Sequence, residues 1–126
     1  MSLETFGKSE RLCSKKLIKE LFNRGSSFYI YPFKVIYLPN SDQSNANSQI
    51  LISIPKRNFK KAVDRNKIKR RIKEAYRLNK QHFPSIAENP LLIAYIYTAK
   101  ESLDYQRIQE KLKDALQRLS NETSAN

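Results

Sequence analysis

The sequence predicts an α+β fold in a single domain, with elements in the order α-β-β-β-α-β-α. Three observations carry this prediction. Apolar residues recur with helical spacing over 65–77 and again over 105–119. Stretches at 28–38, 49–54 and 91–98 are rich in β-branched and aromatic residues, as strands are. The 126 residues match the length of one domain and suffice for a modest core. The expected domain is 1–126, with an ordered core over about 9–120 and frayed tails.

Taken in order, Ser14 can cap a first helix through KKLIKELFNR, which stops at Gly25, a favoured C′ residue. Leu17, Ile18, Leu21 and Phe22 give that helix a narrow apolar stripe. SSFYIYPFKVIYLP follows, and Pro32, which cannot donate to a ladder, divides it into a short strand and a longer one over 33–38. PNSDQSNANS (39–48) reads as a polar loop. QILISI (49–54) reads as a buried strand. Asp64 is the expected N-cap of the next helix, on which Ile68, Ile72, Ala75 and Tyr76 form a core-facing stripe. Residues 81–90 read as a loop between prolines, and LLIAYIYT (91–98) as an apolar strand. Ser102 or Asp104 starts a last helix running to about Leu119, with Tyr105, Ile108, Leu112, Ala115, Leu116 and Leu119 on one side.

No apolar run approaches the roughly 18 residues of a membrane span, and the first residues lack a signal-peptide core. The one cysteine, Cys13, excludes an internal disulfide. The expectation is a cytoplasmic protein with no membrane partner.

The net charge is +12, from 24 Lys and Arg against 12 Asp and Glu. Between residues 56 and 80 twelve of those cations meet only Asp64 and Glu74, so this segment holds +10 of the total. A nearly neutral domain with one basic patch is the footprint of a nucleic-acid binder. On a helical wheel Arg65, Lys69, Lys73, Asn66, Arg77 and Arg70 fall within an arc of roughly 140° beside the apolar stripe. Lys67 and Arg71 lie further round. Like charges without interspersed acids repel, and a polyanion relieves that cost. Lys56 and Arg57, at the end of a strand, extend the patch. A strand rather than a helix precedes the basic helix, which disfavours a helix-turn-helix DNA reader. The residues leave open both a structured-RNA binder of the ribosome or its assembly and, more weakly, a DNA-binding regulator.

A second candidate surface is aromatic. Phe28, Tyr29, Tyr31, Phe33 and Tyr37, with Phe22, could line a shallow cleft between the first helix and the sheet, where unpaired bases stack. Catalytic candidates are thin. His82 and Cys13 have no partner nearby in sequence, and the only glycines are Gly7 and Gly25, too few for a phosphate loop. Neither catalytic nor metal-binding residues are expected in this chain.

RNKIKRRIKEAYR (65–77) closely resembles the signature helix of the bacterial ribonuclease P protein subunit, and PKRNFKKAVDRN ahead of it is similar to that family's basic lead-in. Arg11–Leu12, the helix ending LFNRG, and a last strand followed by an "LD" helix fall in family order. The resemblance implies a two-layer α/β sandwich of the ribosomal protein S5 domain 2-like type, with a left-handed β-α-β crossover. It implies the protein subunit of a ribonucleoprotein endoribonuclease that removes the 5′ leader from precursor tRNA. Catalysis would come from the RNA subunit, with Mg²⁺ bound mainly by that RNA and the substrate. The implied partners are the catalytic RNA and precursor tRNA, with no obligate protein partner. Carried over by position, Arg65, Asn66, Lys67, Lys69, Arg70 and Lys73 match the signature, with Lys56, Arg57 and Arg77 beside them. Lys67 and Lys73 stand where Arg is frequent. Ile18, Phe22, Phe33 and Tyr37 are the residues expected to line the leader cleft, Ile18 where many members have Phe. Tyr97 and Thr98 stand where many members have a basic residue.

Overall fold

A computed structural model describes residues 10–40 and 47–124. The helices are α1 (Lys15–Arg24), α2 (Ala62–Asn79), α3 (Pro84–Glu88) and α4 (Tyr105–Ser124). The strands are β1 (Ser26–Ile30), β2 (Phe33–Pro39), β3 (Gln49–Ser53) and β4 (Leu91–Tyr97). They form one sheet in the order β1-β2-β4-β3. β2 pairs antiparallel with β1 and β4, and β3 pairs parallel with β4. Parallel neighbours cannot be joined by a tight turn. The connection between β3 and β4 therefore carries α2, the basic helix.

Strand alternation sorts the side chains between two faces. Phe28 of β1, Phe33 and Val35 of β2, Ile50 and Ile52 of β3, and Leu91, Ile93, Tyr95 and Tyr97 of β4 meet α2, α3 and α4 in the main core. Ile68, Ile72 and Ala75 of α2 and Ile108, Leu112, Leu116 and Leu119 of α4 are fully buried there, so the periodic stripes do dock these helices. The other face carries a smaller cluster. Ile36, Leu92 and Ala94 are covered by Leu12 and Leu21, with Leu17, Ile18, Leu38, Leu51 and Ile96 packed around them. Among the described helices α1 is the one that lies across that second face.

Caps explain several boundaries. The Ser14 hydroxyl accepts from the Leu17 amide at 3.2 Å, and the Asp104 carboxylate accepts from the Arg107 amide at 2.9 Å. Asp64, by contrast, is not a cap. α2 starts two residues earlier, behind Lys61, which makes no side-chain cap bond, and Asp64 sits in the first turn. A carboxylate is favoured there by the helix dipole rather than by a capping bond. Residues 81–90 are more ordered than a loop. A 3₁₀ turn over Lys80–His82 leads into α3, which Pro84 opens and whose Ile86 is buried. α4 also outruns the expected end at Leu119. The Ser85 hydroxyl lies 2.6 Å from that of Ser120, and the Thr123 hydroxyl reaches the Ser120 carbonyl at 3.0 Å, which holds the added turn against α3. The expected frayed N-terminus, most of the 39–48 loop and the last two residues lie outside the described residues.

α1 ends at Gly25 as expected, but not because of the left-handed conformation that makes glycine a favoured C′ residue. The Gly25 backbone is extended, with φ −70° and ψ 151°, and its amide bonds the Leu21 carbonyl. A Cβ here would crowd that carbonyl, lie 2.8 Å from Ile36 Cγ2 and lie 3.0 Å from the Tyr37 carbonyl oxygen. The glycine is required by space, because the chain turns straight from α1 into β1. Gly25→Ala is therefore expected to cost about 1–3 kcal/mol of stability. Urea denaturation reads this directly, and an unchanged midpoint would show that the junction has slack.

Candidate nucleic-acid interface

α2 presents its cations in three ways. Arg65 and Arg71 are partly committed to the fold. One Arg65 nitrogen donates to the carbonyls of Phe59 at 2.7 Å and Lys60 at 2.9 Å, closing the basic lead-in onto the helix. This supplies the anchoring that Lys61 does not. Arg71 donates to the Ser102 hydroxyl at 3.1 Å and the Leu103 carbonyl at 2.7 Å, tying α2 to the segment before α4. Arg77 is paired with Glu74, whose carboxyl is held below its ordinary value mainly by the hydrogen bond from that guanidinium. Asn66, Lys67 and Arg70 are exposed, and Lys69 and Lys73 are half-buried along the same arc. Lys56 and Arg57 are exposed in the turn after β3.

The arc is concave at one point. Arg70, Lys73, Glu74 and Arg77 line a recess with Arg11 from the segment before α1. Arg11 reaches it because this segment runs along the sheet edge. Arg11 bridges to Ile50 in parallel fashion, and the Leu12 amide donates to the Ile50 carbonyl at 2.9 Å. Leu12 is buried in the smaller core while Arg11 is exposed. Partial burial, then the nearby charges of Lys69 and Arg11, push the Lys73 ammonium below its ordinary value. Four cations against one already paired carboxylate make a recess shaped for phosphate. Arg11 was legible only as part of an ordered pattern; its place beside α2 depends on the edge pairing.

The second surface lies across the sheet from the main core, beside α1. Ile18 is half-buried and Phe22 is 46% exposed on the helix. Phe33 and Tyr37 do not line this cleft. Odd-numbered residues of β2 point into the main core, where Phe33 is fully buried edge-on to Tyr95 and Tyr97, at ring distances of 6.0 and 6.2 Å. Tyr37 is half-buried on that same face, its ring 5.9 Å from that of Phe28, which is also buried. The even-numbered residues form the floor instead. Cross-strand partners place Ser53, Ile96, Lys34 and Tyr29 in one row across all four strands. Lys34 and Ile96 were missed from sequence, because β2 and β4 are apolar on both faces and pattern alone does not say which face α1 takes.

Neither His82 nor Cys13 belongs to a cluster: both are exposed. Among the described residues no three His, Cys, Asp or Glu side chains gather as metal ligands, and no helix is long and apolar enough to cross a membrane.

A helix whose cations line a recess, set on one small α+β scaffold, defines a nucleic-acid-binding protein of the phosphate-gripping kind. The sequence pattern described as ribonuclease P matches residues 6–120, and the chain belongs to the ribonuclease P protein family. The ribonuclease P protein component of Porphyromonas gingivalis is 35% identical over 121 residues, covering 92% of this chain and 88% of the relative. That of Petrotoga mobilis is 34% identical, covering 94% and 98%. The fold matches the RNase P protein of Staphylococcus aureus with a TM-score of 0.73 at 25% identity, over 89% of this chain and 96% of that one. The Thermotoga maritima RNase P protein matches with a TM-score of 0.71 at 29% identity, over 86% and 96%.

Proposed function

We propose that this chain is the protein subunit of ribonuclease P, gripping the catalytic RNA with α2 and the 5′ leader of precursor tRNA in the cleft beside α1. The observation that carries the reading is the placement of these two surfaces on one sheet. The cations of α2 lie on the main-core side, the cleft lies on the other, and Arg11 joins them around the β3 edge. One rigid body can then hold two RNA segments in a fixed relation. Arg70 and Arg11 offer planar forks to phosphate, while Lys67, Lys69 and Lys73 act as point charges without that geometry.

Strand scission is assigned to the RNA, with Mg²⁺ held mainly by RNA and substrate. The recess does not fit a divalent cation, since it is cationic and its one carboxylate is paired with Arg77. The contribution of the protein is binding. Mature tRNA has no leader, so contacts in the cleft favour substrate over product. This reading places the protein in the cytoplasm, with the precursors it helps to process.

Adding the chain to its catalytic RNA at low Mg²⁺ is expected to raise the rate of leader removal at limiting substrate by about tenfold or more, equivalent to roughly 1.4 kcal/mol. No gain would leave an RNA-binding protein with no part in leader removal.

A further inference from the structure

Among the described residues the exposed aromatic side chains are Phe22, Tyr29 and Tyr31. Phe22 belongs to the helical wall of the cleft. Tyr29 closes the row across the cleft floor at the β1 edge, and Tyr31 follows it just beyond the strand. Both have their hydroxyls tethered and their rings open. The Tyr29 hydroxyl lies 3.1 Å from the Thr98 hydroxyl, and the Tyr31 hydroxyl donates to Glu101 at 3.3 Å. Thr98 is itself fixed, its amide and hydroxyl donating to the Pro32 carbonyl at 2.7 and 2.9 Å. Tyr29 is nonetheless 58% exposed. A ring held by its hydroxyl presents its surface at little further entropic cost.

Tyr29 also has a cation beside it. Its cross-strand partner is Lys34, exposed on the same face. Such partners lie about 5 Å apart, close enough for one nucleotide to meet both. The row Ser53–Ile96–Lys34–Tyr29 starts next to the basic turn holding Lys56 and Arg57 and ends at the β1 edge. Three strand spacings make it roughly 14 Å long. α1 covers Ile36 and Ala94, one register step away, and leaves the Tyr29 end open.

We propose that Tyr29 and Lys34 form a distal leader subsite, in which the Tyr29 ring stacks on an unpaired base and Lys34 takes an adjoining phosphate. Tyr31 flanks the stack, and Glu101 beside it places the phosphate contact on the Lys34 side. The subsite rests on the leader-cleft reading above and deepens it. It tolerates any base, since each has a stacking face. It contributes only when the leader is long enough to cross the row.

The test uses the reconstituted holoenzyme and precursor tRNAs whose leaders are shortened one nucleotide at a time. Tyr29→Ala is expected to weaken binding of long-leader precursor by about fivefold to tenfold, the lower range of base–aromatic stacking, with no effect below a threshold length. Tyr29→Phe keeps the ring and recovers most of the loss. The subsite is overturned if Tyr29→Ala weakens every length equally, if it weakens none, or if Tyr29→Phe loses as much as alanine. Phe22→Ala separates the subsite from the cleft. A leader-dependent loss there, with none at Tyr29, removes the subsite and keeps the cleft. No leader-dependent loss at either residue removes both.

Discussion

Replacing Arg70 and Lys73 together by glutamate is expected to weaken binding of the catalytic RNA by about a hundredfold or more at moderate salt, equivalent to roughly 2.7 kcal/mol. The two residues share the recess with Arg11, and reversal turns that recess from cationic to mixed. The salt dependence is the sharper readout. About five phosphate contacts from α2 give a slope of log K against log salt of roughly −3.5 to −4.5, and losing two should flatten it by about 1.4 to 1.8. Arg65 and Arg71 are poorer choices, because their bonds to Phe59, Lys60, Ser102 and Leu103 mix folding with binding. Lys113→Glu, on the exposed side of α4, controls for net charge. An unchanged slope in the double variant would take the recess out of the interface.

The second large effect separates two phenylalanines. Phe33→Ala is expected to cost about 3–5 kcal/mol of stability, since the ring is fully buried against Tyr95 and Tyr97 and its removal leaves a cavity. Phe22→Ala should cost under about 1 kcal/mol, because nearly half of that residue is already in water. It should instead lower affinity for leader-bearing tRNA while sparing mature tRNA. Urea denaturation of both variants beside binding to both tRNAs gives the full comparison. A small stability loss at Phe33 would reverse the assignment of the faces of β2, and equal losses for the two tRNAs at Phe22 would take that ring out of the cleft.

That assignment marks where the sequence stops being legible. Helix-forming stripes are, because Ile68 and Ile72, or Ile108 and Leu112, are buried wherever the helix docks. Caps with a side-chain oxygen are legible too, as at Ser14 and Asp104. The start of α2 escapes the capping rule because the guanidinium of Arg65, one turn into the helix, holds the lead-in carbonyls of Phe59 and Lys60 where a side-chain oxygen was expected. α3 was missed because five residues are too few for a period to show. In β2 the run Phe33, Val35, Ile36, Tyr37, Leu38 is apolar on both sides, so alternation gives two faces without naming either. Only α1 seated over Ile36 identifies the one that holds the cleft.

The candidate site divides along the same line. The basic arc follows from charge and helical geometry, both local, and residue order in 65–77 carried it to a family. The recess needs Arg11, which lies more than fifty residues away in sequence and arrives through a single bridge to Ile50. Lys34, Ile96 and Tyr29 become neighbours only when two strand registers are known.

In the proposed function the protein favours precursor over product by holding the leader. Affinities of the catalytic RNA for precursor and for mature tRNA, each measured with and without the chain at one salt and Mg²⁺ concentration, test it most directly. The protein should raise the precursor-to-mature affinity ratio by about tenfold or more, and Phe22→Ala should return most of that gain. An equal rise for both tRNAs would instead show a general polycation with no use for its cleft.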